Sequence, residues 1–240
     1  MNRAPALRVQ PGVRRTLPAL VLALICAASA SAAGEPPAAT DCVGRAVTAL
    51  QHRYESVRDL AASFEQTTRS VALGGPGASE ASRGRVVFAK PGRMRWTYES
   101  PEPSLVVSDG KQLWIYDPAH REVQRLGVTD AYLSGAAVHF LLGQGQILRD
   151  FSVKALRCEA AVVELELVPR APASYEKLRV VTDPRSGELL ETTVVDLIGN
   201  ATTVALRDAQ TNRDPDPGLF RFEAPEGVRV IDLDAAAGGR

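Results

Sequence analysis

From Val57 onward the chain is a succession of short strand-like runs, broken by turn residues and interrupted by one helical pattern only. The runs are "LAASFEQTTRSV" (60–71), "RVVFA" (85–89), Arg93–Tyr98, "SLVVSDGKQLWIYD" (104–117), "REVQRL" (121–126), "FSVKALRC" (151–158), "AVVELELVP" (161–169), "EKLRVVTD" (176–183), "GELLETTVVDLIG" (187–199) and "ATTVALRDAQ" (201–210). A last pair is read in "LFRFEAPEGVRVIDL" (219–233). Helices do not alternate with strands, so parallel βαβ units are excluded. The expected fold is mainly β with some α: one curved antiparallel sheet approaching an incomplete barrel, with helices packed on one face.

Two helices are expected. The first follows Thr40 or Asp41, with Val43, Ala46, Val47, Leu50 and Tyr54 at helical spacing. The second lies in "DAYLSGAAVHFLLGQG" (130–145), where Tyr132, Leu133, Ala136, Ala137, Phe140 and Leu141 form an apolar stripe before Gly143. "LGGPGASEASRG" (73–84) reads as a connection. Asp109-Gly110 is a strong hairpin signal, which predicts Val107 opposite Gln112 and Leu105 opposite Trp114. That hairpin carries apolar residues on both faces, so it does not choose its own inner side.

Residues 1–32 hold Arg3, Arg8, Arg14 and Arg15 and no acid, followed by "LPALVLALICAASASAA". A basic segment, a short apolar run and A-x-A sites at Ala28–Ala30 and Ala30–Ala32 describe a secretory signal peptide, cut near residues 30–33. Arg14-Arg15 is read as part of this basic segment, since Pro18 interrupts the apolar run that twin-arginine export expects. A single domain over 33–240 follows. The whole chain is formally neutral, but without those four arginines it is acidic. Such a balance gathers no phosphate backbones, so nucleic acid is not a partner. Cys26 falls within the signal, after a bulky Ile25 that does not suit lipidation. Cys42 and Cys158 remain; in an oxidising compartment they either pair or stay as isolated buried thiols.

Catalytic constellations are wanting. His52, His120 and His139 stand in no metal-ligand spacing. "GGPG" lacks the lysine and helix of a phosphate loop, and no G-x-S-x-G elbow occurs. The reading is therefore a non-enzyme with no cofactor and no metal. What stands out is "KPGRMRWTYESPEPSLVVSDGKQLWIYDP" (90–118), which holds both tryptophans of an aromatic-poor chain. Strict alternation sends Met94, Trp96 and Tyr98 one way and Arg93, Arg95 and Thr97 the other. These large residues either form a core under a helix or line a pocket between bent strands and apolar helices. For the pocket, the candidates are Phe64, Phe88, Met94, Trp96, Tyr98, Leu105, Val107, Trp114 and Tyr116. A secreted protein with such a cavity suits an acyl chain, at about 0.8 kcal/mol per buried CH₂.

"ASFEQ" (62–66), "G-x-V-x-F-x-K-P-G-x-M-R-W" (84–96), "VSDGKQLWIYDP" (107–118) and "FRFEAPEGVRVID" (220–232) together resemble the LolA family, periplasmic carriers of outer-membrane lipoproteins. The resemblance implies an incomplete β-barrel with a helical lid over an apolar cavity. It implies that an inner-membrane transporter hands over a lipoprotein, whose acyl chains travel in the cavity of a monomeric carrier to an outer-membrane acceptor. Met94, Trp96 and Tyr98 match cavity-lining positions of the family, and Val138, Phe140, Leu141 and Leu142 match its lid. Lys90 stands where the family carries a basic residue, often Arg, that governs lid and release. Alternatives on the same fold are a periplasmic sensor of lipid or lipoprotein, and a carrier of a different lipid such as a glycolipid. An outer-membrane acceptor would need a lipidated N-terminal cysteine.

Overall fold

A computed structural model describes residues 39–72, 79–128 and 145–234. The signal segment and nearly all of the second expected helix, with Val138, Phe140, Leu141 and Leu142, lie outside the described residues. All described residues belong to the unit Pro37–Arg240.

Helix α1 spans Ala39–Ser56. Cys42, Ala46, Val47, Leu50 and Tyr54 form its buried stripe, the period expected of a helix with one wet face. A single helical turn at Ile147–Asp150 follows much later, and Ile147 N–H donates to Gln51 Oε1 on α1.

Among the described residues twelve strands make one sheet: β1 Asp59–Arg69, β2 Ser79–Ala89, β3 Arg93–Ser100, β4 Ser104–Asp109, β5 Gln112–Asp117, β6 Glu122–Gly127, β7 Phe151–Cys158, β8 Val163–Pro169, β9 Tyr175–Thr182, β10 Leu189–Asp196, β11 Ala201–Thr211 and β12 Arg229–Asp232. Their order is β12-β6-β5-β4-β3-β2-β1-β11-β10-β9-β8-β7. Neighbours pair as antiparallel hairpins except at two places. Strand β1 pairs with the distant β11, which joins two wings of the chain. At one edge β12 lies parallel to β6.

Registers run continuously across the sheet, so one face can be followed from wing to wing. Leu60, Ala62 and Phe64 of β1 align with Phe88, Val86 and Gly84 of β2. Phe88, Val86 and Gly84 align with Met94, Trp96 and Tyr98 of β3, and Trp96 with Val106 of β4. In the other wing Leu206 stands opposite Phe64, and Leu165, Leu167, Leu178 and Val180 continue the same face. The core lies on this side, under α1.

Strand ends define two ends of the sheet. The turns at 90–92, 109–112 and 183–188 and the exit of β11 share one end, called the near end. The turns at 100–104, 117–122 and 196–201 share the far end. Helix α1 is tied to the near end at four points. Cys42 and Cys158 form a disulfide, with Cα atoms 6.3 Å apart. The turn before β10 passes so close beneath α1 that a Cβ on Gly187 would stand 2.1 Å from Ala49 O. Asn212 Nδ2 donates to Ser56 O, and Lys90 Nζ donates to Tyr54 O at 2.6 Å.

Three sequence expectations change. Strand β2 begins at Ser79, well inside the stretch read as a connection, because Ser79–Arg83 pairs with the polar end of β1. The β4–β5 hairpin is shifted by two residues: Val107 opposes Trp114 and Leu105 opposes Tyr116. The reason lies in the turn. Asp109 Oδ1 accepts from the N–H groups of Lys111 and Gln112, and Gly110 takes the first central position with φ 94°. The expected last strand pair is one strand only. Its start is taken by a 3₁₀ turn at Pro217–Phe220, which Asp216 caps by accepting Gly218 N–H. Pro225, within the expected pair, lacks the donor a ladder needs.

Candidate functional site

The two tryptophans face opposite ways. On the core face, Phe64 packs against Trp96 with ring centroids 4.7 Å apart and against Tyr98 at 5.2 Å, and Phe88 meets Trp96 at 5.8 Å. Phe64, Phe88 and Met94 are buried, whereas Trp96 and Tyr98 are half-buried. Gly84 makes the cluster possible. It sits between Phe64 and Tyr98 in the register, and a Cβ there would stand 1.9 Å from Thr97 O and 3.0 Å from the Phe64 ring. The missing side chain lets the two rings meet edge to face.

Leu105, Val107, Trp114 and Tyr116 correct the sequence reading. Because Trp96 opposes Val106, and Val106 opposes Ile115, these four project from the other face of the sheet. There a strap formed by residues 217–222 covers them. Phe222 packs on Trp114 at 6.2 Å and Tyr116 at 5.8 Å, and Arg93 stacks over the buried Phe220 ring at 5.2 Å. Arg95 Nη1 donates to Leu219 O. This second packed layer, with Val107 and Val123 fully enclosed, cannot line a space shared with Trp96.

The core face has a gradient along its strands. Toward the near end it is apolar, with Leu60, Phe88, Met94, Leu113 and Leu126 below α1. Toward the far end it becomes polar. Tyr98 donates its hydroxyl proton to Gln66 Oε1, and burial pushes the Tyr98 phenol up while that hydrogen bond opposes the shift. A pocket of about 420 Å³ opens at this rim, lined by Ile115, Asp117, His120, Glu122, Gln124 and Arg229. Two ion pairs brace it: His120 Nδ1 with Asp117 Oδ2 at 2.7 Å, and Arg229 with Glu122. The Asp117 hydrogen bond raises the His120 pKa above its ordinary 6.5, and the same bond lowers Asp117 below its ordinary 3.8.

One polar atom in the aromatic cluster is unmatched. Trp96 Nε1 is buried and has no hydrogen-bond acceptor among the described residues. A buried donor left unpaired costs about 1–3 kcal/mol, so such atoms are rare in folded proteins.

Lys90 is not a solvated strand end. Its ammonium is half-buried against the C-terminus of α1, where a cation meets the partial negative charge of unpaired carbonyls. Burial lowers its pKa, partly offset by nearby Glu55.

Sequence reasoning missed Val106 and Ile115 on the core face and the polar rim of Gln66, Asp117, Glu122 and Gln124. The first pair stands on the hairpin face opposite its aromatics, and the register through the 101–103 turn, not side-chain size, decides which face turns inward. The rim residues come from three strands that only the register brings together, and no local pattern marks them.

The family model for "Outer membrane lipoprotein carrier protein LolA" matches residues 55–223. An outer-membrane lipoprotein carrier protein of Halorhodospira halophila is 30% identical over 234 residues, covering 95% of this chain and 100% of that protein. Its counterpart in Nitrosomonas europaea is 34% identical over 154 residues, covering 62% of this chain and 71% of the relative. Among solved structures, a LolA superfamily protein from Nitrosomonas europaea aligns with TM-score 0.40 and 14% identity, covering 76% of this chain and 97% of that one.

Proposed function

Because the chain belongs to the LolA family of outer-membrane lipoprotein carriers, we propose that it carries lipoproteins through the periplasm by holding their acyl chains on the core face around Phe64, Phe88, Met94, Trp96 and Tyr98. The observation that carries this reading is the half-buried aromatic pair Trp96 and Tyr98, which continues a buried apolar floor toward a polar rim. Val138, Phe140, Leu141 and Leu142, which the family resemblance assigns to a lid, lie outside the described residues. The acyl chains rest toward α1, and the protein part of the cargo leaves past the rim.

Affinity must be moderate for such a task. Each methylene taken out of water contributes about 0.8 kcal/mol, so two long chains bind readily. Release then requires an acceptor that covers more apolar surface. The inner-membrane transporter loads the carrier and the outer-membrane acceptor unloads it; no bond is made or broken, so the role is that of a carrier and not of an enzyme. Lys90 contributes by fixing the C-terminal end of α1. Lys90→Leu is expected to slow delivery from loaded carrier to acceptor membranes more than it slows loading. Delivery at the wild-type rate would leave Lys90 as an anchor of α1 and nothing more.

The central test is Trp96→Glu. A carboxylate on an apolar face must be desolvated when a chain arrives, so uptake should fall by at least roughly tenfold. The measurement is the yield of acylated lipoprotein recovered with the purified carrier, with circular dichroism as the check on folding. A folded variant that retains its cargo would refute the assignment of this face.

A further inference from the structure

Resting on the carrier reading above, we propose that the Trp96 indole N–H sets the depth of the cargo by donating a hydrogen bond to the ester carbonyl at the head of an acyl chain. Three observations meet at this atom. Nε1 is buried and unpaired among the described residues, in a cluster that otherwise satisfies its polar groups. Its neighbours are rings: Phe64, Phe88 and Tyr98. Lastly, Trp96 stands at the step in the polarity gradient. One pleat toward the near end on the same strand face is buried Met94, and one pleat toward the far end is Tyr98, whose hydroxyl is already engaged by Gln66.

An ester-linked fatty chain has the same polarity profile. It is apolar along its length, carries one strong acceptor at its head, and is polar beyond. Laid with its tail toward α1 and its head toward the rim, it brings that acceptor to the boundary where the free donor lies. The carbonyl has no donor of its own, so an N–H is its natural complement. A pure hydrocarbon would leave the indole proton unsatisfied, and an ether oxygen, a weaker acceptor than an ester carbonyl, would satisfy it less well. The cluster therefore discriminates acyl esters from other greasy molecules of equal size, which apolar burial alone does not do.

The test compares two synthetic cysteine lipopeptides that differ only at the linkage: a dipalmitoyl glyceryl ester and its dialkyl ether analogue. Wild-type protein should bind the ester about tenfold more tightly than the ether, and Trp96→Phe should bring that ratio close to one by weakening ester binding. An ester-to-ether ratio near one in the wild type, or a ratio that survives in Trp96→Phe, overturns the proposal while leaving the carrier reading intact. Failure of folded wild-type protein to bind either lipopeptide removes the carrier reading and the proposal with it. Should Trp96→Phe not fold, ¹⁵N-indole resonances of the wild type decide. The Trp96 N–H signal should move further downfield with the ester than with the ether, while Trp114, on the opposite face, stays put. Equal shifts with both ligands would sink the proposal.

Discussion

Asp117 and His120 hold each other in their charged forms at the rim of the candidate site, and the sign of that coupling gives a testable pH window. The hydrogen bond that His120 donates to Asp117 raises His120 above 6.5, so its contribution is complete below that pH and is lost as pH rises through the folded value. Asp117 is lowered beneath 3.8, so its contribution is complete above that pH and is lost as pH falls through the folded value. The pair is fully formed between those limits. Asp117→Asn should return the His120 titration, followed by the imidazole Cε1–H resonance, to near its ordinary value; an unchanged titration would mean that the pair does not exist in solution. Single residues were partly legible in the sequence. Strict alternation placed Met94, Trp96 and Tyr98 together correctly, because a period of two is a local property of a strand. The same reasoning misplaced Leu105, Val107, Trp114 and Tyr116. A hairpin apolar on both sides says nothing about which side faces inward, and the covering strap at 217–222 lies about a hundred residues away in the chain.

Helix α1 is the element whose position depends most on distant contacts. Its buried stripe was plain in the sequence, and pairing was one of the two states open to Cys42 and Cys158, but the anchors at Lys90, Gly187 and Asn212 were not legible, since they come from three different strand ends. The Cys42–Cys158 bridge closes a separation of 116 residues. In the chain-entropy account a loop of that size stabilises the folded state by about 5 kcal/mol, through restriction of the unfolded chain. Replacing both cysteines by serine should lower the urea midpoint markedly under oxidising conditions and leave reduced wild type and variant indistinguishable. Equal midpoints in oxidised wild type and variant would show that the bridge constrains nothing the chain would otherwise explore. Turn chemistry was only half readable. Asp109-Gly110 marked a turn correctly, yet the Asp109 carboxylate captures two backbone donors beyond it and moves the glycine to the first central position. The register followed the side-chain hydrogen bonds, which a dipeptide signature does not reveal.

The antiparallel character of the sheet from β6 to β7 was legible from turn spacing and from the absence of alternating helices. The closure of β1 on β11 was not, because a pairing across some 140 residues leaves no local trace. Nor was the parallel docking of β12 on β6, which covers the backbone groups of β6 and leaves the four-residue β12 as the edge. Removing residues 228–240 should therefore expose β6 and promote self-association, seen as larger species in sedimentation velocity. A truncated protein that stays monomeric would mean that β6 needs no such guard. The anchoring of α1 across the near end has one more consequence under the proposed function. With α1 fixed across that end, guests on the core face come and go by the polar threshold, so giver and receiver meet the carrier one after the other and it lets go of the first before it docks on the second.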